Sequence, residues 1–194
     1  SEADKEAAAP ILKIARHSID RIQRLISSLL DLNRLEQNQP VTECQAVSLE
    51  SLIADVLEAV GPARDGRNQT IEIKSEPNLR ELFVDSDMIR RVLINLTENA
   101  VKYTPVNGHI VIGAEAEGNF MRIYVEDNGP GIPEIDRERI FDKFTRLQNK
   151  TGARGLGVGL AFCKLAVQGH GGKIWVEPAP ERGAKFVFTL PMVD

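Results

Sequence analysis

Two glycine clusters restrict what this chain can fold into more than any other feature of its 194 residues. The first, Glu126-Asp127-Asn128-Gly129-Pro130-Gly131-Ile132-Pro133, comes straight off an alternating run, Phe120 to Val125, that predicts a strand. The second, Gly155-Leu156-Gly157-Val158-Gly159-Leu160, opens an apolar run that predicts a helix from about Val158 to Val167, closed by Gly169. Gly129 and Gly131 permit a positive φ or a close backbone approach, and Pro130 and Pro133 stiffen the turn. Asp127 at the strand's end is an acceptor suited to an amine such as that of adenine; taken alone, the loop also reads as an ordinary tight turn. Glycines at a helix start leave N–H groups free at the positive end of the helix dipole, which suits phosphate. A dinucleotide-binding loop would follow a strand and keep the spacing GxGxxG, whereas here a polar loop precedes and the spacing is GxGxG. No GxxxxGK followed by Ser or Thr occurs, and no HRD or DFG set. The common nucleotide-binding folds are therefore disfavoured.

A second feature lies on the helix predicted from Ser86 to Lys102, whose cap is Asp85 or Ser86. Ile89, Val92, Leu93, Leu96 and Ala100 gather on one side. Asn95, Glu98, Asn99 and Lys102 follow at i, i+3, i+4 and i+7 and form a polar stripe beside them. Two asparagines in mid-helix each cost a few tenths of a kcal/mol against alanine or lysine. A solvated face is one reading of the stripe. The other is a metal–phosphate site, because amide oxygens and a carboxylate suit Mg²⁺, a hard cation that takes one or two protein ligands plus phosphates and water.

Between the glycine clusters runs a polar stretch with one aromatic island, Ile140-Phe141-Asp142-Lys143-Phe144, followed by Arg146, Lys150 and Arg154. A connection of this length reads as a functional lid, with two phenylalanines that dock on ligand binding and cations aimed at phosphate. The plainer alternative is a surface helix packing its own two aromatics.

The remaining pattern frames these motifs. Residues 1–40 read as one long helix with a wide apolar stripe at Ile19, Ile22, Ile26 and Leu29, broadened by Leu25 and Leu32, to be covered either by the following domain or by the other helices of a dimerisation bundle. Ser48 to Val60 predicts a helix stopped by Gly61-Pro62; Thr70–Lys74 and Leu82–Val84 predict strands. His109–Ala114 with Phe120–Val125, and Lys173–Glu177 with Lys185–Leu190 across Pro178–Gly183, predict two hairpins. Helices grouped against such a sheet give an α+β two-layer sandwich, residues 41–194, preceded by one long helix, residues 1–40.

Bulk properties narrow the function. A hydrophobic share of 42% with 27% charged residues is ordinary for a globular protein with a real core. A net charge of −4 argues against a nucleic-acid partner. The isolated Cys44 and Cys163 form no CxxC pair, which argues against a metal centre and for a reducing, cytoplasmic setting. No run reaches the ~18 apolar residues of a membrane span, so no membrane contact is expected of this stretch. The start at Ser1 suggests a piece of something longer, with any anchor elsewhere.

In this order the segments resemble the sensor histidine kinases of two-component signalling, within the wider gyrase–Hsp90–MutL type of ATPase. The N box resembles Asn95-Leu-Thr-Glu98-Asn99-Ala100-Val-Lys102-Tyr103, and the first glycine box Asp127-Asn128-Gly129-Pro130-Gly131. The F box resembles Phe141-Asp-Lys143-Phe144, and the second glycine box Gly155-Leu-Gly157-Val-Gly159-Leu160. The run LISSLLDLNRLE, Leu25–Glu36, resembles the second helix of the kinase dimerisation hairpin. The likeness covers roughly residues 48–191 and implies a Bergerat-type fold, a mixed sheet covered by helices on one face.

The resemblance implies ATP and Mg²⁺ as ligands. Asn95 and Asn99 would face the metal and phosphates, Lys102 would contact phosphate, and Tyr103 would lie beside the nucleotide. Asp127 would bind the adenine amine, with Gly129, Gly131 and Ile132 against the base. Gly155, Leu156, Gly157, Val158, Gly159 and Leu160 would lie under the phosphates, Lys143 and Arg146 near the γ-phosphate. Glu98 would be the acid/base that takes the acceptor imidazole's proton, in a phosphoryl transfer driven by positioning and charge neutralisation. Expected partners are a response-regulator receiver domain, the chain's own upstream phosphoacceptor helix and a second copy in a homodimer. One family element is missing: His17, within Arg16-His17-Ser18-Ile19-Asp20, lacks the acceptor box and lies off the Ile22 face. The resemblance therefore sets the acceptor upstream of Ser1. The competing reading is an ATPase of the same superfamily in which the N-box glutamate activates water; a nucleotide-sensing module without transfer is a third.

Overall fold

The structure is a computed structural model; it describes residues 19, 22–23, 26–27, 29–30, 32–37, 41, 43–145, 157–180 and 182–193. In chain order its elements are β1 (Gln45–Val47), α1 (Leu49–Asp65), β2 (Thr70–Ser75), β3 (Leu82–Val84), α2 (Ser86–Tyr103), β4 (His109–Glu117) and β5 (Phe120–Asp127). Two 3₁₀ turns (Glu134–Asp136 and Arg139–Phe141), α3 (Gly159–Gly169), β6 (Ile174–Pro178) and β7 (Ala184–Pro191) complete it. The main sheet has the order β2-β4-β5-β7-β6; β2 runs parallel to β4 and the other neighbours are antiparallel. β1 and β3 form a separate antiparallel pair, tied to the end of β7 by a bridge from Leu82 to Met192. The expected α+β sandwich with a mixed sheet is what the chain adopts.

The alternation on β5 decides where the chemistry sits. Met121, Ile123 and Val125 point into the core, and the same period of two sends Asp127 inward with them. The core on that side also holds Leu93 and Leu96 of α2, Phe162 and Val167 of α3, and Leu52, Val56 and Val60 of α1, which packs on α2. The opposite face closes over itself with side chains. The Tyr124 ring lies on Gly113, where a Cβ would come 2.0 Å from its Cζ, and the Lys185 ammonium sits 3.8 Å from the ring centroid. Arg122 bridges Glu115 and Glu177 beside it.

The structure departs from expectation at two elements. α1 does not stop at Gly61-Pro62 but runs through both to Asp65, with Gly66 as its cap. Pro62 removes only the donor to the Glu58 carbonyl, and Glu58 is exposed, where solvent satisfies it. β1 is an unpredicted strand, too short to show an alternation. The apolar stripe of the first helix is covered only at its end: Leu32 and Leu35 are buried, whereas Ile19, Ile22, Ile26 and Leu29 are 44–55% exposed. Residues 32–36 are helical, and most of residues 1–40, including His17 and Leu25, lie outside the described set.

Candidate functional site

The polar stripe is held in place at both ends of α2. At its start Asp85 caps the helix, accepting from the Met88 N–H at 3.0 Å, while its own N–H donates to His170 Nε2 at 3.0 Å. His170 Nδ1 lies 2.7 Å from the Ala166 carbonyl, so one buried imidazole joins the end of α3 to the start of α2. Burial holds that imidazole below its ordinary pKa of 6.5. At the other end Arg67 Nη1 donates to the carbonyls of Val101 and Lys102 at 2.6 and 2.8 Å, and Gln69 Nε2 to those of Val101, Thr104 and Pro105. A cation and an amide thus satisfy carbonyls that the helix end leaves without partners. Between these clamps Asn95, Asn99 and Lys102 are half-buried and Glu98 is exposed. The Lys102 ammonium lies 4.8 Å from the centroid of the Tyr103 ring.

The first glycine loop folds back onto this helix. Asp127 is 5% exposed, and its Oδ1 accepts from the Gly129 N–H at 2.8 Å. Burial pushes its carboxyl above the usual carboxylate range, outweighing the pull of the Gly129 and Ala184 N–H groups. A Cβ on Gly129 would stand 2.7 Å from Asp127 Oδ1 and 2.9 Å from the Tyr103 carbonyl oxygen, so glycine is required by contact with α2. Gly131 has φ +78° and faces the Gly183 carbonyl. Gly183, in the sequence no more than part of a hairpin turn, sits at φ +124° and lets β7 approach so closely that a Cβ would fall 1.8 Å from the Asp127 carbonyl oxygen. Asn128 exchanges hydrogen bonds with His109, accepting from its N–H at 3.0 Å and donating to its carbonyl at 3.3 Å. It is a strut for the loop that the sequence alone did not single out.

The second glycine loop closes the arrangement. Where Gly159 begins α3, a Cβ would meet Asn95 Oδ1 at 3.3 Å. Gly157, at φ +70°, packs on the backbone of Phe144 and Thr145, and the Phe144 N–H donates to its carbonyl at 2.9 Å. Val158 is buried, and Ile132 and Leu160 are partly buried against the core. Cys163, one turn beyond Gly159, is fully buried, and its Sγ donates to the Val92 carbonyl at 3.8 Å. Burial pushes this thiol up to about 12. Arg146, Gly155 and Leu156 lie outside the described residues.

The aromatic island divides. Phe141 is already in the core, edge-on to Phe186 at 6.4 Å, while Phe144 is 66% exposed with φ +61°. A lid carried by both rings is therefore ruled out for Phe141, whose neighbours are core side chains. Lys143 is ion-paired with Glu36 of the N-terminal helical residues. Glu98 and Lys102 also border a cleft of about 340 Å³ between α1 and α2, which no glycine-loop residue lines.

The donor set fits Mg²⁺ held jointly with phosphate. Two amide oxygens one turn apart offer hard ligands, and Gly159 keeps the approach to Asn95 Oδ1 open where a Cβ would crowd it. Among the described residues no group of three or more His, Cys, Asp or Glu could cage a metal by itself.

Comparison with known proteins points to one family. The family of histidine kinase-, DNA gyrase B-, and HSP90-like ATPases matches residues 84–194. The adaptive-response sensory kinase SasA from Synechocystis sp. is 35% identical over 183 residues, 94% of this chain and 48% of that protein. This chain thus spans about half the length of that relative. The catalytic domain of the histidine kinase ThkA superposes with TM-score 0.70 at 32% identity, over 78% of this chain and 97% of that one. Full-length ShkA, solved in complex with AMPPNP, superposes with TM-score 0.79 at 27% identity, over 95% of this chain and 38% of that one.

Proposed function

The chain belongs to the histidine kinase-, DNA gyrase B- and HSP90-like ATPase family, and from that premise we propose that it is the ATP-binding catalytic unit of a two-component sensor histidine kinase. The observation that carries the reading is the meeting of four separate motifs: Asn95 with Gly159, Tyr103 with Gly129, Asp127 with Gly183, and Gly157 with Phe144.

In this reading Asp127 accepts from the adenine amine, and Gly129 and Gly131 let the base lie against Ile132 and Tyr103. Asn95 and Asn99 hold Mg²⁺ together with the phosphates, and the ion supplies charge neutralisation when bound. Lys102 contacts phosphate, and the N–H groups from Gly155 to Leu160 cradle it. Lys143 and Arg146 approach the γ-phosphate. Transfer breaks the bond between the γ-phosphorus and its bridging oxygen and forms a phosphorus–nitrogen bond to an imidazole, whose proton passes to Glu98. The phosphoryl group then passes to an aspartate of a response-regulator receiver domain.

Residues 1–40 serve as the second helix of a dimerisation hairpin and residues 41–194 as the catalytic domain. The acceptor histidine sits on the partner helix of that hairpin, and the working form is a homodimer in the cytoplasm. The exposed stripe at Ile19, Ile22, Ile26 and Leu29 supports such a partner, and no helix among the described residues is long and apolar enough to cross a membrane. The test is a longer chain carrying that helix, incubated with γ-labelled ATP. Acid-labile, base-stable label is expected; label that survives acid contradicts transfer to histidine.

A further inference from the structure

We propose that Glu36 competes with the γ-phosphate of ATP for Lys143, so that the end of the N-terminal helix lowers the preference for ATP over ADP. The inference rests on the reading of Lys143 as a γ-phosphate contact and adds what restrains it.

The backbone around Lys143 is fixed on both sides. Two residues before it, Phe141 is buried edge-on to Phe186 in the core. One residue after it, Phe144 donates its N–H to the Gly157 carbonyl at 2.9 Å, and a Cβ on Gly157 would stand 2.8 Å from the Thr145 carbonyl oxygen. Lys143 is thus pinned beside the second glycine loop, and what remains adjustable is its side chain. That side chain forms an ion pair with the Glu36 carboxylate.

Glu36 is held from its own side as well. Residues 32–36 are helical, and Leu32 and Leu35 are buried in the core. Leu35 comes so close to the end of α3 that a Cβ on Gly169 would stand 3.2 Å from its Cδ2, and 3.1 Å from Val41 Cγ2. These apolar contacts seat the helix end without the ion pair, and they present the carboxylate to Lys143.

A lysine ammonium is a compact charge on a flexible stem, able to turn from one anion to another. Serving the Glu36 carboxylate and a γ-phosphate together would bring two anions side by side, which costs Coulomb energy. The two contacts therefore weaken each other. ADP has no γ-phosphate and leaves the ion pair as it is. Linkage makes the effect reciprocal: ATP weakens the Glu36 contact by the factor by which Glu36 weakens ATP binding. Both side chains are about 40% exposed, so that factor is small.

The test measures the affinities of a non-hydrolysable ATP analogue and of ADP, both with Mg²⁺, in this chain, E36Q, E36A, K143A and the double variant E36Q/K143A. Removing an exposed ion pair should raise affinity for the analogue roughly 1.5- to fivefold in E36Q and leave ADP affinity unchanged. E36A cannot pair either and should behave the same. In the K143A background E36Q should have no effect on the ratio of the two affinities. An unchanged ratio in E36Q and E36A overturns the inference, and so does an equal gain for both nucleotides. A ratio that rises as much with K143A present as without it also overturns it, because the carboxylate then acts on the phosphate without Lys143. K143A alone separates the two levels. If it leaves the ratio unchanged, the γ-phosphate role of Lys143 fails and the competition with it. If K143A lowers the ratio and E36Q does not raise it, only the competition fails.

Discussion

Replacing Asp127 by asparagine should separate binding from folding in a single residue. The carboxyl is 5% exposed, and burial holds its pKa above the usual carboxylate range. The fold thus carries a poorly solvated negative charge that a neutral isostere removes. The amide oxygen of asparagine can keep the 2.8 Å bond from the Gly129 N–H, so the loop retains its strut. Melting without nucleotide should therefore occur at or above the temperature of the parent chain. Nucleotide binding should move the other way. A hydrogen bond to a charged group is worth about 1.5–3 kcal/mol, which corresponds to roughly 10- to 150-fold weaker ATP binding.

Base selectivity gives a second axis. Adenine presents an amine where guanine presents a carbonyl oxygen, so a carboxylate selects ATP and an amide is far less discriminating. The ATP-over-GTP preference should shrink in D127N, measured by competition against a fluorescent nucleotide. Acidification should mimic the substitution. Protonation removes the charge and turns one acceptor oxygen into a donor, so ATP affinity should fall as pH drops through the raised pKa of Asp127, beginning above the ordinary value of 3.8. For the fold alone the sign is opposite, because a raised carboxyl pKa favours the folded state at low pH. Parent-level ATP affinity in D127N refutes the adenine role. Lost binding together with a large drop in melting temperature shows instead that the carboxylate is a structural strut.

Further outcomes follow from other contacts. The imidazole of His170 is held below 6.5, so its stabilisation is complete above that pH and is lost as pH falls from 6.5 toward the lower folded value; urea midpoints at pH 7.5 and 5.5 should differ, and H170Q should narrow the difference. Gly183→Ala sets a Cβ against the Asp127 carbonyl at a φ of +124°, and should destabilise by about 3 kcal/mol in chemical denaturation; a loss below about 1 kcal/mol contradicts the close approach. Glu36→Gln breaks a half-exposed pair with Lys143 and should change stability by less than about 1 kcal/mol, a larger loss meaning that the pair anchors the helix. K143A should reduce the preference for ATP over ADP, and an unchanged preference removes Lys143 from the γ-phosphate.

What could be read in advance depended on how local its cause was. The alternation of β5 is a property of adjacent residues, and it sends Asp127 inward without reference to the rest of the fold. The Asp85 cap and the stripe on α2 likewise follow from spacing within one helix. Gly183 and Asn128 escaped because their partners, Asp127 and His109, are distant in sequence or on another strand, and nothing near them marks the contact. Pro62 misled because a proline ends a helix only when the carbonyl it deprives lacks another partner. Phe141 and Phe144 look alike in sequence, yet one meets Phe186 and the other meets solvent. That asymmetry is set by where β7 lies, and no periodicity in the stretch encodes it.

The most direct test of the site is to titrate Mg·ATP onto the isotope-labelled chain and follow its amide and side-chain amide signals. The largest shifts should fall on Asn95, Asn99, Asp127, Gly129, Gly131 and Gly157 through Leu160, with Tyr124 and Trp175 on the opposite sheet face unmoved. Shifts centred instead on Ala59, Ala63 and Val101 at the α1–α2 cleft, or no shifts at all, would contradict it.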